Sequence, residues 1–380
     1  MIFPADDLIA DDPRPTALYA ATASAATANL WTSINGWAAP RVYTSVEEEY
    51  EAAVKGAVVA DVGAVTRYAA RGRDAAALLA RATTAPVEGL NVGESGRGLM
   101  LDAEGYVVDK IEAARLADNL YMLTTSRPHA RRLQLAARGF DAALEEITGR
   151  IAALAILGPD SRDVAAAAGL DAESDMLARQ SRVRGVEASA RPIHFGALPG
   201  IEVIFPYDEA LTLWERLRRA RAPKPIGIDA LEIIRIEGGA PRPGLDFTVA
   251  DEARREGAKR LPEEIGLGHL APPNRAWFNG RRALKTAMRS GRGLAVLAID
   301  AGAAHAGAAV YGKKGPVGRL TSVASSPRLK RAVAFADLAV EAFGKPLEVA
   351  MPGDGEARAA AVFFETPEGK LAQAFRATMR

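Results

Sequence analysis

The chain contains no cysteine. That excludes disulfides, thiolate nucleophiles, cysteine-ligated iron–sulfur clusters and cysteine zinc sites. Histidine is scarce. His129, His194, His269 and His305 are scattered, with no pair at metal-ligand spacing, so no metal centre is expected. Neither sign of charge dominates: 48 basic and 47 acidic residues leave a formal +1. Such a balance offers no field for nucleic acid or an acidic membrane, and neither is expected as a partner. No stretch reaches the roughly 18 apolar residues of a membrane span. The opening MIFPADDLIADDPRP carries acids where a secretory signal needs bases, so the expected location is the cytoplasm. No P-loop is present. Gly291-Arg292-Gly293 precedes an apolar run where a dinucleotide loop would follow one, and Gly93-Glu94-Ser95-Gly96 lacks the spacing of a nucleophile elbow. There is no internal repeat.

What the chain does have is length and apolar content. Its 380 residues at 49% hydrophobic suggest two or three domains with substantial cores. Residues 1–15 read as an irregular arm rich in Asp and Pro, and 16–30 as an alanine-rich helix. Ser45, followed by Glu47, Glu48 and Glu49, reads as the cap and first turn of a helix over 45–56. A strand is expected over 57–62, with Asp61 closing it, and a helix over 73–81 with Leu78 and Leu79 inward. The run IAALAILGP predicts a strand, a turn at Gly158-Pro159 and a helix capped by Asp160 or Ser161. A helix over 230–236 turns Leu231 and Ile234 inward. From Leu294 onward, apolar runs alternate with Gly and Pro turns, the pattern of a small antiparallel barrel.

The stretch 97–131 is central to the reading. Apolar runs at 98–101 and 106–108 flank the turn Asp102-Ala-Glu-Gly105, and a third run at 120–123 follows Asp118-Asn119. These predict antiparallel strands joined by hairpins. Asp109 falls at the end of the second run, on the same face as Val107. A carboxylate pointing inward there needs partners; the alternative is a strand-end Asp facing water. Arg127 and His129 follow the third run. They are expected to cap the next helix, the other reading being contact with a substrate carboxylate.

The wording LMLDAEGYVVDKI with DNLYMLTTS resembles the glycine-cleavage T-protein (aminomethyltransferase) family. So do INGWAAPRVY leading to ADVG, the helix RDAAALLAR, IAALAILGP, LPGIEVIFPYDEALTLWERL, PIGIDALEIIRIEGG, LPEEIGLG with WFNGRRALK, and GRLTSVASSP. These segments occur in the family's order along nearly the whole chain. The resemblance implies an α+β fold of three domains around a central folate cavity, ending in an antiparallel barrel. Residues 1–50 and 150–245 would form a discontinuous first domain, 51–149 a second carrying Asp109, 246–290 a connecting segment, and 291–380 the barrel.

The resemblance also implies tetrahydrofolate as cofactor and one-carbon transfer to its N5. It places Asp109 as the catalytic residue, with Glu202, Arg235, Ser126 and Asp109 itself at the cofactor. Glu202 matches the glutamate that accepts from the pterin's ring N–H and 2-amino group; an outward strand glutamate is the alternative. Arg235 matches an arginine near the folate, and a salt bridge to Glu232 or Glu237 is its alternative role. Ser126 stands where the family has asparagine. The chain departs from the family elsewhere: Lys110 replaces a second acid, Gly63-Ala64-Val65 replaces Ser-His-Met, and His194-Phe195-Gly196-Ala197 replaces T-G-Y-T-G-E. These departures favour a folate-dependent demethylase taking a small-molecule donor over a glycine-cleavage aminomethyltransferase acting on a lipoyl-carrier protein. A non-catalytic folate binder ranks third, since its K-G-C-Y-x-G-Q-E signature is absent. Arg97, Arg127, His129 and Phe195 are the expected determinants of the donor.

Overall fold

Three large sheet units, each covered by helices or closed on itself, and a two-stranded hairpin, Leu30–Ile34 with Trp37–Val42, make up the architecture of the described residues. The computed structural model describes residues 13–170, 180–183, 185–272, 274–275, 277–300, 304–352 and 357–366. Most of the expected arm at 1–15 lies outside the described residues.

The first sheet has six strands in the order Gln180–Val183, Val186–Phe195, Leu198–Pro206, Ile151–Leu157, Val58–Asp61 and Lys224–Pro225. Only its last pair is parallel. Alternation gives the sheet two apolar faces. Val59, Leu154, Ile156 and Val203 pack beneath the helices Ser161–Ala167 and Ala210–Arg221. Val58, Ala60, Ala155 and Leu157 face the helices Val46–Lys55 and Ile228–Gly238. Ser45 caps the first of these by accepting the Glu48 N–H. The expected domain boundary at 50 falls before the strand Val58–Asp61, which belongs to this first sheet.

The second sheet is antiparallel, in the order Ser95–Leu101, Val107–Ala117, Leu120–Thr125, Thr66–Arg71, Ala143–Glu146. The helices Ala75–Ala82 and Ala130–Ala136 seal its apolar side through Leu79, Val108, Leu123 and Leu133. Its first hairpin is set by Asp102, whose Oδ1 accepts the N–H groups of Glu104 and Tyr106, both at 2.9 Å. Gly105, at φ +90°, completes that turn.

The third unit is a closed six-stranded antiparallel barrel running from Arg292–Ile299 to Arg358–Phe363. Leu297, Ile299 and Val310 fill it, while Leu294, Val296 and Phe335 point out into the core that the barrel shares with the central helix Ile228–Gly238. That helix is buried along its length from Asp229. It meets the first sheet so closely that a Cβ on Gly238 would lie 2.2 Å from the Gly196 Cα. Short 3-10 turns and irregular chain between 246 and 290 tie the second sheet to the barrel. The fold is α+β with a terminal barrel. Among the described residues, no helix is long and apolar enough to cross a membrane.

Candidate functional site

Asp109 lies inside the strand Val107–Ala117, which continues eight residues past it to Ala117; the expected strand end at 109 is corrected accordingly. It has no exposed surface, so the water-facing alternative is excluded. Its Oδ1 accepts the Lys110 N–H at 2.8 Å. Its Oδ2 accepts the N–H groups of Ser126 at 3.0 Å and Arg127 at 3.2 Å. His129 Nε2 lies 2.9 Å from the same oxygen. The neighbouring strand ends at Thr125, whose hydroxyl donates to the Arg127 carbonyl at 2.6 Å. That bond curls the chain so that two consecutive N–H groups face the carboxylate. Three backbone donors and an imidazole offset the desolvation of a group that would otherwise not be tolerated there.

The capping expectation for Arg127 and His129 needs correction. His129 occupies the N-cap position of Ala130–Ala136, but its side chain makes no cap bond and turns to Asp109. Arg127 pairs with Glu252 and reaches the Pro243 carbonyl at 3.4 Å. The reason is electrostatic: the start of a helix is its positive end and repels basic side chains, while two carboxylates lie within reach. Ser126 contributes its backbone N–H to the cradle.

A groove with a volume of about 650 Å³ opens beside His129. Its walls come from the second sheet unit and from the connecting segment, including Leu101, Arg81, Arg131, Arg132, Trp277 and Asn279. Volumes of this size suit small ligands. Asn279 is fixed by donating to the Leu101 carbonyl at 2.9 Å, and Arg132 by its 2.5 Å pair with Asp251.

Glu202 lies elsewhere, where the first and second sheets meet. Arg191 stands directly opposite it in the hairpin register, and Nε of Arg191 donates to Glu202 Oε2 at 2.8 Å. The same guanidinium pairs with Glu112 and donates to the Ser95 hydroxyl at 2.6 Å. Glu202 Oε1 lies 3.9 Å from a guanidinium nitrogen of Arg67. Arg67 is 1% exposed and, among the described residues, its Nε–H has no acceptor. Burial pushes the Arg67 guanidinium pKa down, with Glu202 and Asp61 acting against that. One unmet buried donor thus lies beside a half-buried carboxylate. A flat heterocycle edge carrying both a donor and an acceptor would satisfy them.

Arg235 belongs to neither place. It is enclosed in the central helix and donates to Glu232 at 2.8 and 3.1 Å and to Asp246 at 2.6 Å. The Ala240 carbonyl and the Ser322 hydroxyl take its remaining donors at 2.7 and 2.9 Å. Those carboxylates raise its pKa against the effect of burial. Of its two anticipated carboxylate partners it takes Glu232; Glu237 instead accepts from Tyr50, Ser326 and Arg328. Arg235 therefore ties the central helix to the barrel. The structure brings Ser126 and His129 to Asp109 and holds Glu202 and Arg235 apart from them.

Two partners escaped the sequence reading. Arg191 could have been found: a two-residue turn at Gly196-Ala197 fixes the register, and the fifth pair counted from the turn places it across from Glu202. Arg67 had no such signal, because it reaches Glu202 from another sheet.

Comparison with known proteins agrees with this architecture. The GCVT N-terminal domain matches residues 20–260, and the glycine cleavage T-protein C-terminal barrel domain matches 292–367. A probable aminomethyltransferase of Haloarcula marismortui is 28% identical over 327 residues, spanning 80% of this chain and 86% of the relative. The aminomethyltransferase of Thermus thermophilus is 29% identical over 330 residues, spanning 84% and 89%. The crystal structure of the glycine cleavage system aminomethyltransferase T from Bartonella henselae superposes with a TM-score of 0.81 at 21% identity, over 94% of this chain and 99% of that one. With both domain models matched in order along one chain, this protein belongs to the glycine-cleavage T-protein family of tetrahydrofolate-dependent transferases.

Proposed function

We propose that the protein moves a one-carbon unit from a donor to N5 of tetrahydrofolate, with Asp109 as its electrostatic centre. The observation that carries this is the cradle around Asp109. An apolar side chain would occupy that strand position at far lower cost than a buried carboxylate, and the chain instead aims three backbone N–H groups at it. When bound, the reduced folate supplies the nucleophilic nitrogen. The protein's part is positioning and charge, not covalent catalysis. The Asp109 carboxylate favours positive charge developing at the transferred carbon. With Nε2 of His129 donating to Asp109, Nδ1 of a neutral ring is an acceptor able to take up a proton.

Glu202 and Arg67 fit the pterin. Oε1 would accept from its N–H edge, and the unmet Arg67 Nε–H would donate to a ring acceptor. Ser126 would hold the turn beside the cofactor through its backbone, and Arg235 would support the site by fixing the central helix. The relatives' names support an aminomethyl donor, as in a glycine-cleavage system with its lipoyl-carrier protein. A demethylase acting on a small donor is the second reading, favoured by His194-Phe195-Gly196-Ala197 in place of T-G-Y-T-G-E.

Anaerobic calorimetric titration with tetrahydrofolate tests the cofactor, and detection of 5-methyl- against 5,10-methylene-tetrahydrofolate after a donor screen separates the two readings. Glu202→Gln should weaken folate binding by ~1.5–3 kcal/mol, the worth of a charge-assisted hydrogen bond. Unchanged affinity would return Glu202 to a purely structural pair with Arg191. No folate binding by the unaltered protein would refute the proposal.

A further inference from the structure

The first sheet carries a concavity of its own on the face covered by the helix Ala210–Arg221, with a volume of about 420 Å³. Separated segments supply its polar side chains: Ser24 from the helix Tyr19–Ala25, Thr44 from the turn before Val46–Lys55, Trp214 and Arg218 from Ala210–Arg221, and Lys224 from the edge strand Lys224–Pro225. Trp214 and Arg218 are four apart and share one face of their helix. A left-handed Ala222, at φ +46°, ends that helix and lets Lys224 return to the same cavity. No acidic side chain lines it. Arg218 and Lys224 have no carboxylate partner among the described residues, and the hydroxyls of Ser24 and Thr44 have no hydrogen-bond partner there. The helix dipole favours every cation of the last turn, yet Arg219 pairs with Glu215 at 3.1 Å and Arg221 with Asp163 at 3.6 Å, whereas Arg218 lines the cavity. Trp214 is only 5% exposed, and its indole N–H, which can only donate, has no acceptor among the described residues. Glu49 accepts the Thr44 N–H at 2.9 Å but is buried, and the N–H groups of Tyr43 and Gly227, at 2.6 and 2.7 Å, share its charge. A lone exposed cation needs no explanation. Two cations joined by neutral donors in one acid-free concavity make a place for negative charge.

We infer that this cavity binds a small phosphate monoester, with the phosphoryl group on Arg218 and Lys224 and the organic part against Ala25 and Pro225. A guanidinium takes two phosphoryl oxygens at once, and the ammonium adds a compact charge. The hydroxyls of Ser24 and Thr44 and the Trp214 N–H supply the remaining donors. The volume of about 420 Å³ leaves room beyond the phosphoryl group and is that of a small-ligand site. The cavity is separate from the proposed transfer site. Ile201 and Val203 pack beneath the helix Ala210–Arg221, so alternation turns Glu202 to the opposite face of the sheet, and Asp109 belongs to the second sheet. Binding here does not depend on the one-carbon reading.

The test is calorimetric titration of the full chain with phenyl phosphate, inorganic phosphate and benzyl alcohol in turn. Phenyl phosphate should saturate in the micromolar to millimolar range and weaken as salt is raised. Inorganic phosphate should compete for the same site with lower affinity, and benzyl alcohol, which lacks the charge, should not bind. Arg218→Met and Lys224→Met should each weaken phenyl phosphate about tenfold or more. Arg219→Met, which removes a cation already paired on the same turn, should change it by less than about twofold. Arg218 and Lys224 are exposed, so urea unfolding of their variants should match the unaltered protein. No saturation by phenyl phosphate, or affinity unchanged in both Arg218→Met and Lys224→Met, would overturn the site. Equal affinity for inorganic phosphate would overturn the monoester and leave a site for the free anion. Tetrahydrofolate titrated into the same samples keeps the two proposals distinct: its binding should be unaffected by Arg218→Met, and a loss there would tie the cavity to the folate site and overturn its independence.

Discussion

Asp109→Ala and Asp109→Asn differ in ways the geometry makes quantitative. Alanine removes the acceptor for the N–H groups of Lys110, Ser126 and Arg127, and strands His129 Nε2 as well. Each buried donor left without a partner costs about 1–3 kcal/mol. Local relaxation brings the total toward the low end, so a loss of ~3 kcal/mol or more is expected for alanine. Asparagine keeps the shape. Its single carbonyl oxygen serves best at the Oδ2 position, where two N–H groups and the imidazole converge, which leaves the amide facing the Lys110 N–H. One orphaned donor then costs roughly 1–3 kcal/mol. The expected order of stability is wild type, asparagine, alanine, read from urea unfolding without ligand, with faster hydrogen exchange at the amides of 126 and 127 in the alanine variant. Both variants should lose one-carbon transfer. An alanine variant within about 1 kcal/mol of wild type, with exchange unchanged, would refute the account of the cradle, since it predicts a larger cost. An asparagine variant with normal turnover would leave Asp109 as scaffolding.

Arg235→Met should destabilise the protein by ~3–5 kcal/mol, because it strands Glu232 and Asp246 as buried charges; urea unfolding measures it, and a cost below about 1 kcal/mol would show that water or Arg242 compensates. Glu232 gives the pH dependence. Burial pushes its carboxyl up, but Arg235 and Arg242 outweigh burial and hold it below its ordinary value of 4.5. A depressed folded pKa means its contribution is present above the unfolded value and is lost as pH falls through the folded one. Glu232→Gln should therefore flatten the loss of stability on going from about pH 5 to about pH 3, and equal slopes for the two proteins would count against it.

How much of this was legible in the sequence depended on distance along the chain. The helix Val46–Lys55 and the hairpin around Asp102 were readable because cap and turn chemistry acts over three or four residues. Asp109 was singled out by the family resemblance; alternation left its burial open, because a register shift beside Val107 breaks the period, and its place inside a strand was not readable. The residues after it, Lys110-Ile111-Glu112, mix charge with apolar character, because Glu112 turns to Arg191 on another sheet. Partners that reach across sheets leave no periodic trace. Arg67 and Glu202 are 135 positions apart in sequence, and only the packing of one sheet on another makes them neighbours. His129 shows the limit most clearly. Its local context, at the start of a helix, argues for a cap, and its actual partner is a carboxylate on the strand paired with the one that leads to that helix. Local propensity sets where the chain turns, and long-range charge then decides where the side chain goes. A basic residue at a helix start, where the dipole offers it nothing, is therefore better read as pointing toward an acid elsewhere than as serving the helix it precedes.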